Sequence, residues 1–154
     1  MNSRSGYSLA VALWLSLAAT LAQAEIVNIS NDQLKALIKQ GAPVIDLRTA
    51  GEWRQTGVVK GSQMITLFDE QGRADPAAWV RQVDKVAASG KPVILICRTG
   101  NRSGVAAQML EQSGRKGPIY NVKAGIVNWV GEGQAVVSVQ ENLKQAGVAC
   151  SPAC

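Results

Sequence analysis

Short runs of apolar, β-branched residues alternate with amphipathic stretches along most of the chain, and the punctuation between them is glycine, proline and aspartate. Ile26 to Ile29 reads as an edge strand. Ser30 or Asn31 then caps a helix that carries Leu34, Leu37 and Ile38 on one face and stops at Gly41. Pro43 to Leu47 is a buried strand ending at Asp46 and Arg48, and Gln63 to Phe68 is a further short strand. Asp75-Pro76 opens a helix in N-cap and first-position style, with Trp79, Val83, Val86 and Ala87 facing inward. Ser89-Gly90-Lys91-Pro92 breaks that helix and feeds the apolar run Val93-Ile94-Leu95-Ile96, the central strand. Past Cys97 a helix-favouring segment covers Val105 to Gln112. Gly114 and Gly117-Pro118 turn the chain into a last strand, Ile119 to Val122, followed by a helical turn from Gly125 to Trp129 and a tail helix over Val139 to Gln145. Strands alternating with helices predict an α/β fold: a central, mostly parallel sheet with helices on both faces.

The first 24 residues break this rhythm. Arg4 supplies a basic start, Leu9 to Leu21 is a thirteen-residue apolar core, and Ala22-Gln23-Ala24 is a small-x-small cleavage site. Thirteen residues rise only about 20 Å as a helix, short of a ~30 Å hydrocarbon layer. Residues 1–24 are therefore expected to be a signal peptide cleaved after Ala24, which implies a periplasmic or secreted protein without a stable membrane anchor. Residues 25–140 then form one domain, and 141–154 a C-terminal tail with Cys150 and Cys154.

The formal net charge is +5, or +4 once Arg4 is removed, and the basic residues are scattered. Scattered charge is a solvated surface rather than a nucleic-acid footprint, so no nucleic-acid partner is expected. The histidine count of zero excludes more. No Cys-His or Ser-His-Asp unit and no His-containing zinc site can be built from this chain, and with two of the three cysteines in the tail no structural zinc site is expected.

What remains is Cys97-Arg98-Thr99-Gly100-Asn101-Arg102-Ser103, between the central strand and the helix after it. A thiol at the carboxyl end of a buried parallel strand lies where ligands of such sheets bind. The loop N–H groups and the following helix N-terminus favour an anion there, Gly100 permits the positive φ that lets N–H groups converge, and two arginines add charge and forked donors. Asp46 and Arg48 end the neighbouring strand. The spacing of Arg48 and Glu52 suggests a local ion pair or helix cap, a structural role, with Asp46 in position to orient the loop.

The spacing Cys97-x-x-Gly100-x-Arg102 resembles the active-site loop of single-domain rhodaneses, the thiosulfate sulfurtransferases. Asp46-Leu47-Arg48, Glu52-Trp53 and Gly57-Val58-Val59-Lys60-Gly61-Ser62 are similar to that family's first signature. Ala124-Gly125, Trp129, Gly133 and Val136-Val137 are similar to its closing stretch. Val58 stands where the family usually has His, Ala124 replaces the first Gly of a pair, and Gln134-Ala135 lacks the usual Pro. The resemblance implies a rhodanese-like fold and a two-step transfer that needs no metal or organic cofactor. Cys97 takes the outer sulfur of a small anionic donor such as thiosulfate, becomes a persulfide, and passes the sulfur to cyanide or a thiol, a protein thiol included. Arg102 is expected to anchor the loop and Arg98 to meet the donor, with Thr99, Asn101 and Ser103 completing the anion cradle. Trp53, Phe68 and Trp129 are expected to serve core packing more than the pocket. Two other readings stay open: a phosphatase or arsenate reductase, whose loop has one more residue between Cys and Arg, and a non-catalytic sulfur-carrier or redox module. Odd-even counting in an oxidising compartment pairs Cys150 with Cys154, or one of them with a partner, leaving Cys97 the reactive thiol; the alternative is sulfur or disulfide exchange with Cys97.

Overall fold

The computed structural model describes residues 24–146. The segment read as a signal peptide, Ala24 excepted, and the tail cysteines Cys150 and Cys154 lie outside the described residues. Five strands form one all-parallel sheet: β1 (Ile26–Ile29), β2 (Val44–Asp46), β3 (Gln63–Met64), β4 (Val93–Ile96) and β5 (Ile119–Val122), in the spatial order β1-β5-β4-β2-β3. Between and after them run α1 (Asn31–Lys39), α2 (Ala50–Thr56), α3 (Pro76–Val86), α4 (Asn101–Gln112), α5 (Gly125–Gly131) and α6 (Val139–Gln145).

Alternation along the strands sorts the core into two layers. Leu95, Cys97 and Ile119 face α3 and α4, packing with Trp79, Val83, Ala106, Ala107 and Leu110. Ile94, Ile96 and Val122 face the other way, onto Leu34 of α1 and Ile126 and Trp129 of α5. Helices thus cover both faces, as expected, and β4 is buried on both sides because it lies between β5 and β2 at the centre of the sheet. Caps explain the helix starts: Ser30 and Thr49 each form a reciprocal capping box with Gln33 and Glu52, and Asp75 caps α3 with Pro76 behind it.

Three expectations change. The strand read over Gln63 to Phe68 contracts to Gln63–Met64, although Ile65 and Leu67 still donate to the carbonyls of Asp46 and Leu47. Helix α2 was not foreshadowed by periodicity, and none of its residues is buried. Packed structure also continues past residue 140, since Asn142 of α6 is 3% exposed, donates to Ser62 O at 2.8 Å and accepts from Gly61 N at 2.7 Å. Among the described residues no helix is long and apolar enough to cross a membrane.

Candidate active site

Strand β4 ends at Ile96 and delivers Cys97 to the top of the core, where the residue is only 1% exposed. The Gly100 backbone N–H donates to its sulfur at 3.1 Å, and the Ser103 hydroxyl oxygen lies within hydrogen-bond reach at 3.4 Å. The loop can fold back on the thiol because Gly100, the N-cap of α4, has φ +89°. A Cβ there would lie 1.9 Å from the carbonyl oxygen of Lys123. Gly125 presses on the loop from the other side, where a Cβ would meet Arg98 O at 2.4 Å. The first turn of α5 completes the clamp, with Ile126 N donating to Cys97 O at 2.9 Å and Val127 N to Arg98 O at 3.2 Å. The preceding Ala124, at φ −103°, needs no glycine. The loop is therefore held by the backbone of the β5–α5 connection as much as by its own residues.

Arg102 anchors the loop through Glu52 of α2, with Nη1 donating to Oε2 at 2.8 Å and Nη2 to Oε1. Glu52 in turn accepts from Thr49 N at 3.0 Å. The bond from Arg102, opposed by partial burial and supported by Thr49, holds the Glu52 carboxyl down to about 2. The same pair raises the Arg102 guanidinium above its ordinary value, and Cys97 and Asp46 are near enough to add to that effect. Of the two roles expected for the Arg48 and Glu52 charges, the helix cap forms, through Glu52 and Thr49, and the ion pair does not. Arg48 instead grips Asp46 through Nε at 2.9 Å and Nη2 at 2.7 Å, and also reaches Thr56 Oγ1 at 2.6 Å and Gly57 O at 2.8 Å. Both side chains are buried. Asp46 is saturated by its own neighbour and makes no hydrogen bond to the thiol loop; the pair fixes the route from β2 into and out of α2.

Arg98, Thr99 and Asn101 are exposed. Of the anion cradle read from the sequence, only Gly100 and Ser103 reach the sulfur. Arg98 lines a cleft of about 270 Å³ with Arg48, Glu52, Gln55, Thr56, Ile126 and Val127, so the cleft-lining arginine of the loop and its anchoring arginine are separate residues. Neither Trp53 nor Phe68 lines it. Trp129 is a buried packing residue whose Nε1 donates to Ala135 O at 2.9 Å, and Val58 is fully buried and bridges Val137. Among the described residues no three His, Cys, Asp or Glu side chains gather to hold a metal ion.

The profile of the Rhodanese-like domain matches residues 30–132. The chain belongs to the rhodanese family. It is 27% identical over 119 residues to thiosulfate sulfurtransferase 18 of Arabidopsis thaliana, an alignment covering 75% of this chain and 86% of that one. The rhodanese-related protein of Thermoplasma volcanium superposes with a TM-score of 0.55 at 29% identity, covering 72% of this chain and 97% of that one. The polysulfide-sulfur transferase homodimer of Wolinella succinogenes shares the fold, with a TM-score of 0.57 at 24% identity over 73% of this chain and 79% of that one. Within this rhodanese domain the sequence reading missed Glu52 as the partner of Arg102, and it missed Asn121. A capping-box pattern marks Glu52, but its bond to Arg102 spans 50 positions. The signal for Asn121 is a polar residue two positions after Ile119 in a central strand, where alternation calls for an apolar one.

Proposed function

We propose that this rhodanese is a sulfurtransferase in which the Cys97 thiolate attacks the outer sulfur of thiosulfate or a similar anionic donor. The S–S bond of the donor breaks, sulfite leaves with the bonding electron pair, and Cys97 holds the transferred sulfur as a persulfide. An acceptor nucleophile, cyanide or a thiol, then attacks that terminal sulfur and returns the Cys97 thiolate. The observation that carries this reading is the near-complete burial of a thiol whose sulfur accepts the Gly100 N–H. A sulfur so enclosed is open only to the narrow end of a donor, and a preorganised donor in a dry site stabilises negative charge on it.

Arg98, exposed at the cleft, is the contact for the anionic end of the donor. The forked face of Arg102 is taken by Glu52, which leaves it a loop anchor and speaks against a phosphatase that would need this arginine on a tetrahedral oxyanion. The leader-like residues 1–24 support export to the periplasm or beyond. There Cys150 and Cys154 would form a disulfide or receive sulfur, and a protein thiol would be an acceptor.

Intact mass of the purified protein after thiosulfate tests the proposal, with Cys97→Ser alongside. The expected result is a gain of one sulfur, about 32 Da, that cyanide removes and the mutant never shows. No gain would shift the weight to a non-catalytic carrier or redox role, and hydrolysis of para-nitrophenyl phosphate without it would favour the phosphatase reading.

A further inference from the structure

Behind Cys97 a line of polar groups crosses the sheet where apolar residues would be expected. Ile119 and Asn121 point from β5 toward α4, and Ile26 and Asn28 do the same from β1, with Asn28 registered directly against Asn121. Asn121 is 6% exposed and Ser103 fully buried. Their side chains are continuous with the thiol: Ser103 Oγ lies 3.4 Å from Cys97 Sγ and 2.7 Å from Asn121 Oδ1, and Asn121 Nδ2 lies 2.8 Å from Asn28 Oδ1.

A hydroxyl has one proton, and Ser103 has three acceptors around it: Sγ, Asn121 Oδ1 and, at 3.2 Å, Gly100 O. With Asn121 Oδ1 turned to Ser103, as here, that proton is spent on the amide and the serine oxygen can accept from a thiol S–H. The opposite polarity uses the same heavy-atom positions. Asn28 donates to Asn121 Oδ1, Asn121 Nδ2 donates to Ser103 Oγ, and the hydroxyl proton is left for the sulfur, where an ionised acceptor outbids the Gly100 carbonyl. The turn needs only two amide rotations, one of them on exposed Asn28. When the thiol ionises its proton goes to a solvent base, and no other covalent bond changes.

We propose that Asn121, backed by Asn28, is a positioning residue for Cys97: it sets the direction of the Ser103 hydroxyl and so the ease with which the thiolate forms. The inference rests on Cys97 being the reacting thiol of the proposed function. The charged groups about the thiol are Arg102 of α4, its partner Glu52 of α2, the Asp46–Arg48 pair at the end of β2, and exposed Arg98; none is altered in the test.

The test is the rate of iodoacetamide alkylation at Cys97, read by peptide mass as a function of pH at low and high salt. The variants are Asn28→Asp, Ser103→Ala and the two combined in the purified protein. An aspartate at 28 can only accept, so it holds Asn121 Oδ1 on Ser103. The expected result is a neutral-pH rate lower by roughly tenfold, the scale of one hydrogen bond to a charged group, with an unchanged alkaline limit and the same ratio at both salt concentrations. In the Ser103→Ala background the same change should do nothing further. An equal slowing in that background, a slowing that salt abolishes, or no slowing at all would overturn the relay. Alkylation that behaves as expected in a protein that forms no persulfide would sink the sulfurtransferase reading and leave the relay standing; persulfide formation with unaltered alkylation would do the reverse.

Discussion

Arg102 and Glu52, 50 positions apart, meet as a forked ion pair that ties the first turn of α4 to the first turn of α2, so the thiol loop is braced by the helix that follows β2, the strand paired with β4. Both side chains remain partly exposed, at 29% and 25%, which keeps solvent screening in play. Glu52 is held at about 2 against an ordinary 4.5. A carboxyl pulled down in the folded state contributes stability that is complete above 4.5 and lost as pH falls through about 2. Glu52→Gln should therefore lower stability at neutral pH by about 1 kcal/mol, after discounting for exposure. The gap from the parent should close on acidification across that window, as urea denaturation at a series of pH values would show. A constant gap at every pH would mean that packing, not charge, is what the substitution disturbs.

Gly100 and Gly104 sit one helical turn apart and should respond oppositely to alanine. At Gly100 the new Cβ runs into the Lys123 carbonyl at 1.9 Å on a backbone with φ +89°, so the loop must open and withdraw its N–H from the sulfur. Sulfur transfer by Gly100→Ala is expected to fall by about a hundredfold or more, the scale of a lost oxyanion-type donor. At Gly104 the nearest atom is 3.5 Å away and the backbone is helical, so alanine should raise stability by up to ~1 kcal/mol. Thermal unfolding of both variants beside the transfer assay checks the pair.

The strand–Cys97–helix unit was legible because each of its parts is local: a four-residue apolar run buried on both faces, a glycine that alone tolerates the turn, and a helix-favouring segment after it. Ser30, Asp75 and Gly41 marked helix ends for the same reason, since a cap acts within four residues. What escaped was non-local or not apolar. Helix α2 buries none of its residues, so no hydrophobic stripe announces it, and only Thr49 and Glu52 at capping-box spacing could have. Proximity in sequence suggested Glu52 for Arg48; the fold gave Arg48 the nearer, buried carboxylate of Asp46 and left Glu52 free for Arg102. Asn121 went unremarked because a single polar residue in a strand has no meaning until the helix above it is in place.

Arg98 is exposed at the cleft and outside the clamp on the sulfur, so on the proposed function its removal should affect donor binding rather than the transfer step. Arg98→Ala should raise KM for thiosulfate by about tenfold, one exposed cation's share of binding an anion, while kcat changes little. Arg98→Lys should recover part of the loss, and the KM of the parent should climb with salt more steeply than that of Arg98→Ala. A fall in kcat at constant KM would instead place Arg98 on the transferring sulfur.

The Asp46–Arg48 pair separates structure from catalysis. Both side chains are essentially inaccessible, and Arg48 spends its donors on Asp46, Thr56 Oγ1 and Gly57 O, none of which touches the thiol. Asp46→Asn leaves a buried guanidinium without its counter-charge, a change that costs about 3–5 kcal/mol in comparable sites. Denaturant midpoints should show that loss, whereas sulfur transfer per folded molecule, measured at low temperature where the fold survives, should stay close to the parent. If the transfer rate drops while stability holds, Asp46 acts on the thiol loop directly, and the orienting role suggested by its place beside β4 would be restored.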